Sequence, residues 1–253
     1  MTQPTLTYAH IHGRFHHTMH HNSQDYAIAA TPAPNTAFGL VLDGCGSKYR
    51  DTAVHPSHNE TGASLLGSFI AAYLQSHLAK PDCSLALTLA GMETAAANFL
   101  HHITNAIPFS KAADRTRFIA THLLTTIVGF IVTPETAVCF WAGDGYLRIN
   151  NTIIPLHSNN QPEYLAYTLL PAPPSHTRQS GHAITYFTIH KRQTLHTMAA
   201  ATDGWTAGLL QTVPPVANNL QLQRWLNVQA RHRPNFEDDG AIALWQENAE
   251  AKK

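Results

Sequence analysis

Apolar residues along this chain recur with two periods, and the switches between them mark out its elements. Residues 5–12 alternate weakly, as a first edge strand would. Tyr26 to Ala30 is a short apolar run closed by the turn-rich stretch TPAPNT, and Phe38 to Leu42 follows as the second strand of a hairpin. From Glu60 to Leu78 the apolar positions are Leu65, Leu66, Phe69, Ile70, Tyr73 and Leu74, one face of a helix with Asn59 placed to cap it. Ser84 to Ile103 repeats that period, and Arg117 to Leu124 predicts a shorter helix leading into a strand over Thr125 to Val132. Ala137–Ala142 and Tyr146–Asn150 predict two strands joined by a tight hairpin turn at Gly143-Asp144-Gly145. Ile184–Ile189 and Thr194–Ala200 predict another hairpin, Asn219–Arg231 a helix and Ala241–Trp245 a closing strand. Between Pro155 and Gly181 the chain is rich in Pro, Asn, Ser and His without periodicity, which reads as a surface excursion. Strands and helices are segregated, so the expected fold class is α+β, and 253 residues suit one large domain or two small ones.

Composition narrows the function. Of 253 residues, 44% are hydrophobic, enough for a substantial core, and only 13% are charged. Lys+Arg and Asp+Glu stand at 16 each, which leaves no basic footprint and excludes nucleic acid as the expected partner. No apolar run approaches the length of a membrane span and the N-terminus lacks a signal pattern, so no membrane partner is expected. Cys45, Cys83 and Cys139 are scattered and read as reduced thiols of a cytoplasmic protein. The 18 histidines make net charge sensitive to mild acid.

In so charge-poor a chain, the placement of aspartates is informative. Asp43-Gly44, Asp144-Gly145, Asp203-Gly204 and Asp238-Asp239-Gly240 each sit at the end or turn of a predicted strand, and Asp25 stands just ahead of one. A single Asp-Gly pair is an ordinary turn. A set of carboxylates brought together needs a cation or a shared proton, because isolated buried carboxylates are costly. Mg2+ or Mn2+, which favour oxygen ligands, are the natural occupants, and two such ions can clamp a phosphate.

These motifs, in this order, resemble the metal-dependent PPM-type (type 2C) serine/threonine protein phosphatases over nearly the whole chain. Residues 38–47 look like the DG(H/C)G metal loop, and DGCGS followed by ETGA resembles its bacterial form. Gly143-Asp144-Gly145 looks like the GDS turn, Ala201 to Trp205 like SDGLW, and Glu237-Asp238-Asp239 like the terminal DN or DD motif. Gly13 to Asp25 follows a pattern of Gly, His three residues on, then Gln-Asp. The resemblance implies a four-layer α-β-β-α sandwich with a binuclear Mn2+ or Mg2+ centre at one end of its strands. Asp43 would bridge both ions, Gly44 would lend its carbonyl, and Asp203 and Asp238 would complete the second ion's ligands. Asp25 would reach the centre directly or through water, and Asp144 would border a third, weaker position. Asp238 is preferred to Asp239 because Gly240-Ala241-Ile242-Ala243 fits the family's strand in that register. The implied reaction is one-step hydrolysis of phosphoserine and phosphothreonine on proteins by water activated between the ions, with Asp43, Asp203 and Asp238 as the catalytic set. A phosphoprotein substrate, and a cognate kinase, are the implied partners. The residues at 155–181 would correspond to the family's flap.

The chain departs from the pattern where the family often places a phosphate-binding arginine, five residues before the first-strand Asp. His20 stands there, with His16 and His21 near and Arg14 an alternative. His16 and His20 are therefore the expected phosphate contacts, without the bidentate fork of Arg. Three other readings stay open. The histidines suit zinc or nickel as a separate site. Cys45 with Arg50 suggests a thiol nucleophile, but one residue short of the spacing such loops use. A phosphatase fold that has lost its activity and serves as a regulator is the alternative to an enzyme.

Overall fold

The computed structural model describes residues 4–46, 57–80, 83–159, 161–175 and 183–247. Two antiparallel five-stranded sheets lie face to face. The first is ordered β1 (Thr5–Ile11), β10 (Gly240–Gln246), β9 (Thr197–Ala201), β6 (Gly145–Ile149) and β7 (Thr152–Leu156). The second runs β2 (Asp25–Ala33), β3 (Thr36–Asp43), β4 (Ile127–Val132), β5 (Ala137–Ala142) and β8 (Thr185–Ile189). Helices α2 (Asn59–Leu78), α3 (Leu85–Ala106) and α4 (Ala112–His122) cover the second sheet, and α5 (Ala207–Gln211) and α6 (Asn219–Gln229) cover the first. The α+β, α-β-β-α expectation holds. Among the described residues, no helix is long and apolar enough to cross a membrane.

The central strands explain why two layers of sheet are stable here. In β3, Phe38, Leu40 and Leu42 face the helices while Ala37 and Val41 face the other sheet. In β10, Ala241, Ala243 and Trp245 point between the sheets and Ile242 and Leu244 toward α5 and α6. Such strands are apolar at every position because both faces are covered, and the period-2 alternation only assigns each side chain to a layer. Burial of these side chains, each contributing about 1.5–3 kcal/mol relative to exposure, is the main favourable term.

Two strand pairs expected as hairpins are not hairpins. β5 and β6 belong to different sheets, and the turn between them carries the chain from one sheet to the other. Gly143 and Gly145 take φ of +93° and +135°, conformations open to glycine, on either side of Asp144. Likewise β8 pairs with β5 while β9 pairs with β10 and β6. The helix expected from Arg117 begins earlier, at Ala112. Three elements were not expected: α1 (Arg14–Thr18), β7 and α5. The residues from Pro155 onward are not simply a surface excursion. They begin inside β7, continue into a short 3-10 turn at Leu165–Leu169, and bury Tyr164, Leu165, Ala166 and Tyr167. Residues 160 and 176–182, part of the expected flap, lie outside the described residues.

Candidate active site

One end of the sandwich collects carboxylates from both sheets. In the β2–β3 register, Asp25 and Asp43 stand directly opposite one another. Asp144 comes from the crossing between sheets, Asp203 from just beyond β9, and Asp238 from just before β10. A cleft of about 250 Å3 is lined by Asp43, Asp144, Asp203 and Asp238, together with His16, Gln24, Cys45 and Tyr164. Asp25 sits buried beneath, accepting a hydrogen bond from the Thr202 hydroxyl at 2.6 Å.

The backbone around this cluster is closely stitched. Thr126 N–H donates to the Asp43 carbonyl at 2.9 Å, and Asp43 N–H donates to the Thr126 hydroxyl at 3.1 Å. Gly44 N–H donates to the Gln24 carbonyl and Cys45 N–H to the Leu124 carbonyl, each at 3.0 Å, so the loop after β3 is held from both neighbouring strands. Asn59 is not the helix cap its position suggested. It is the first residue of α2, fully buried, and its amide donates to the Cys45 carbonyl at 2.7 Å while its oxygen accepts Leu124 N–H at 2.9 Å. Gly204 is required by close approach, since a Cβ there would come within 1.6 Å of the Asp239 carbonyl oxygen. That contact packs the loop after β9 against the one before β10, and so sets Asp203 beside Asp238.

The two residues of the Asp238-Asp239 pair part company. Asp238 is exposed and faces the cleft, whereas Asp239 is 3% exposed. Asp239 accepts Gly13 N–H and Gln24 N–H at 2.6 Å each and lies 2.8 Å from His16 Nδ1. Its oxygens are occupied in tying the segment before β2 to β10. His16, Asp238 and Asp239 do place ligand-type atoms within metal-binding reach of one another. Asp239, however, already has the donors a carboxylate needs. His16 lines the cleft, but His20 does not. His20 is exposed, in a left-handed conformation with φ of +57°, outside the lining residues. Arg14 is not free to serve in its place, because it pairs with Glu237 and donates to the Ala230 carbonyl at 2.8 Å. Ser47 and Arg50 lie outside the described residues.

Electrostatics show what the cluster favours. Burial pushes the carboxyl groups of Asp25 and Asp43 well above the usual carboxylate range, and repulsion from neighbouring aspartates adds to it. Asp203 is raised by burial and then by Asp144 and Asp238. Like charges gathered in a poorly solvated site favour an added cation, and an all-oxygen donor set suits hard divalent ions. The residues present therefore fit the Mn2+ or Mg2+ ions the sequence suggests.

Tyr164 forms one wall, and nothing in the sequence marked it. It is 3% exposed, hydrogen-bonds with Cys45, and burial pushes its phenol up so that it stays protonated. Arg115 donates to the Leu169 carbonyl at 2.9 Å, and buried Glu93 on α3 accepts Ala183 N–H at 2.5 Å, fixing the wall's two flanks. Next to the cleft, a hollow of about 240 Å3 shares Asp144 and Asp203 with it, and Ser158 donates to Asp144 at 2.5 Å.

The family description "Protein phosphatase 2C" matches residues 12–236, which include every segment that lines the cleft except the one carrying Asp238. The chain belongs to the protein phosphatase 2C family. Solved structures carry the same fold at low identity. Serine/threonine phosphatase Stp1 from Staphylococcus aureus aligns with a TM-score of 0.61 at 14% identity, covering 98% of this chain and 96% of that one. PppA, described as a key regulatory component of T6SS in Pseudomonas aeruginosa, gives 0.60 at 17%, with 97% and 98% covered. The serine/threonine phosphatase of S. agalactiae gives 0.58 at 14%, with 97% and 100% covered. No curated protein sequence matches the chain significantly. Protein phosphatase 2C membership makes the cleft the place to look for chemistry. A larger cavity, about 440 Å3, lies at the other end of the sandwich among Thr36, Lys80, Cys83 and Glu135, without a carboxylate cluster.

Proposed function

We propose that this chain hydrolyses phosphoserine and phosphothreonine on proteins, using two divalent cations, Mn2+ or Mg2+, held in the cleft. The observation that carries the reading is the convergence of Asp25, Asp43, Asp144, Asp203 and Asp238 from both sheets on one end of a protein phosphatase 2C fold. Asp43, flanked by Asp25 and Asp203, and the Gly44 carbonyl beside it would hold the ions together with Asp203 and Asp238. Asp25 supports Asp43 from below, and Asp144 borders a weaker third position. Bound there, the cations supply charge neutralisation at the phosphoryl oxygens and an activated water.

The chain's own side chains do the rest. His16 is oriented through Nδ1 by Asp239, which leaves Nε2 as the nitrogen for a phosphate oxygen, a single contact in place of an arginine fork. His20 is given no such role. Tyr164 and Pro162 narrow the cleft from the side of the 155–181 segment and limit water around the ester. The reading leaves Cys45 no nucleophilic part. A kinase that installs the phosphates is the expected partner, and the reduced cytoplasm the expected compartment.

Hydrolysis of p-nitrophenyl phosphate tests this directly. Metal-stripped protein should be inactive and Mn2+ or Mg2+ should restore turnover. Asp43→Asn and Asp203→Asn should each cost on the order of a thousandfold in kcat with the fold intact by circular dichroism. Turnover that survives chelation and both substitutions would overturn the mechanism. Metal binding without turnover would make the protein a regulator.

A further inference from the structure

Helix α1 exposes apolar side chains that do nothing for its own stability. None of its residues is buried, and Phe15 is 59% exposed. Met19, its C-cap, is 53% exposed and donates its N–H to the Phe15 carbonyl at 3.0 Å, so the two side chains share one face. Among the described residues, no other two large exposed hydrophobics stand within one helical turn in sequence. The helix is held instead by polar contacts. Arg14 and Phe15 donate their N–H groups to the Phe236 and Glu237 carbonyls at 3.1 and 2.9 Å, and the Arg14 guanidinium pairs with Glu237.

The pair adjoins the cleft. The Phe15 ring lies 5.8 Å from that of His16, which lines the cleft. From Gly13 to Gln24 there is no carboxylate, only Arg14, His16, His17, His20 and His21 among titratable groups. An apolar pair beside a phosphate-sized cleft, on a segment whose own charged groups are all basic, is complementary to a phosphorylated peptide that carries a large apolar side chain. The carboxylates facing that segment, Glu237 against Arg14 and Asp238 and Asp239 against His16, come from just before β10. Two side chains fall far short of the roughly 800 Å2 per partner that a stable protein dimer needs. The segment also lacks the lysines of a membrane-surface helix.

We propose that Phe15 and Met19 form the docking surface for the polypeptide of the phosphoprotein substrate. They take a large apolar residue within a few positions of the phosphorylated Ser or Thr. The inference rests on the phosphatase reading above and adds a sequence preference to it. Because both side chains project into solvent, their removal leaves the fold and the carboxylate cluster alone.

The test compares wild type with Phe15→Ala/Met19→Ala in Mn2+. Substrates are p-nitrophenyl phosphate and two phosphothreonine peptides that differ only in Leu or Ser beside the phosphorylated residue. Aryl phosphate kinetics should be unchanged within about twofold. Wild type should favour the Leu peptide by about tenfold in kcat/KM, and the double variant should lose that preference through KM. Wild type without the preference, a variant that keeps it, or an equal loss on all substrates would each overturn the proposal. Anisotropy with non-hydrolysable phosphonate versions of the same peptides repeats the comparison without turnover. If wild type hydrolyses no phosphoester yet binds the Leu peptide more tightly, and the variant does not, docking stands and the phosphatase reading falls. Equal binding of both peptides by wild type overturns docking itself. A concentration-dependent dimer in sedimentation that the variant dissolves assigns the pair to a second copy and also overturns it.

Discussion

The two ends of strand β3 differ sharply although one strand of eight residues makes both. At the Asp43 end, five aspartates converge, their carboxyl groups are raised by burial and repulsion, and the backbone is tied by hydrogen bonds from β2, β4 and α2. At the Thr36 end lies a larger cavity, lined by threonine hydroxyls and by Lys80, Cys83, Glu135 and Tyr186, where the turn Thr133–Thr136 satisfies its own donors. Cavity size therefore does not locate the proposed chemistry here. What does is a set of like charges that local packing holds together against their mutual repulsion, an arrangement that lowers stability until a ligand of opposite charge binds.

Substitutions at the two ends should separate accordingly. The largest stability loss is expected for Gly204→Ala, whose Cβ has no room beside the Asp239 carbonyl. About 3 kcal/mol or more should be lost, with Mn2+ affinity falling as Asp203 and Asp238 are pushed apart, measured by denaturant unfolding and metal titration. Wild-type stability would show that the loops yield freely.

A smaller effect is expected from pH on the metal-free protein. The folded-state values of Asp25, Asp43 and Asp203 are raised, so the folded protein holds these protons more tightly than the unfolded chain does. Stability is then greatest below the unfolded carboxylate value of about 4 and declines as pH climbs through the raised ones. The thermal midpoint should fall by about 5 °C or more over that window, Mn2+ should remove the fall, and Asp43→Asn should flatten it. A midpoint that rises with pH in the absence of metal would contradict the cluster.

The smallest effect belongs to the other end. Thr133→Ala removes the hydroxyl that donates to the Thr136 carbonyl at 3.0 Å and should cost about 1 kcal/mol, with no change in turnover. A drop in kcat there would mean the ends are coupled.

Much of this was legible beforehand. The apolar runs at 26–30 and 38–42 are strands, and the run at 125–132 is one from Ile127 on, because residues of that kind pack well on covered sheet faces, and each Asp placed at a strand end or turn does lie at one. His16 reaches the cleft and Asp238 faces it, as the family resemblance implied. Thr202, although next to Asp203 in the motif, gave no sign that its hydroxyl would serve Asp25 from the other sheet. Tyr164 was hidden in an aperiodic stretch, since a wall residue needs burial at one position only and leaves no period. His20 lies outside the cleft lining because α1 intervenes and the chain takes a left-handed turn at that residue, which counting residues back from Asp25 does not see.

The main strands and long helices, and the alternation that assigns side chains to layers, were readable from the sequence alone, since each depends on residues close in the chain. Which sheet a strand joined was not. β5, β6, β8 and β9 are all apolar enough to be covered by a sheet, so nothing local tells β5 to pair with β8 and β6 with β9. That choice required the packing of both sheets over one core. It also decided the site, because only the crossing at Gly143–Gly145 and the contact of Gly204 with Asp239 bring aspartates of two sheets to one cleft.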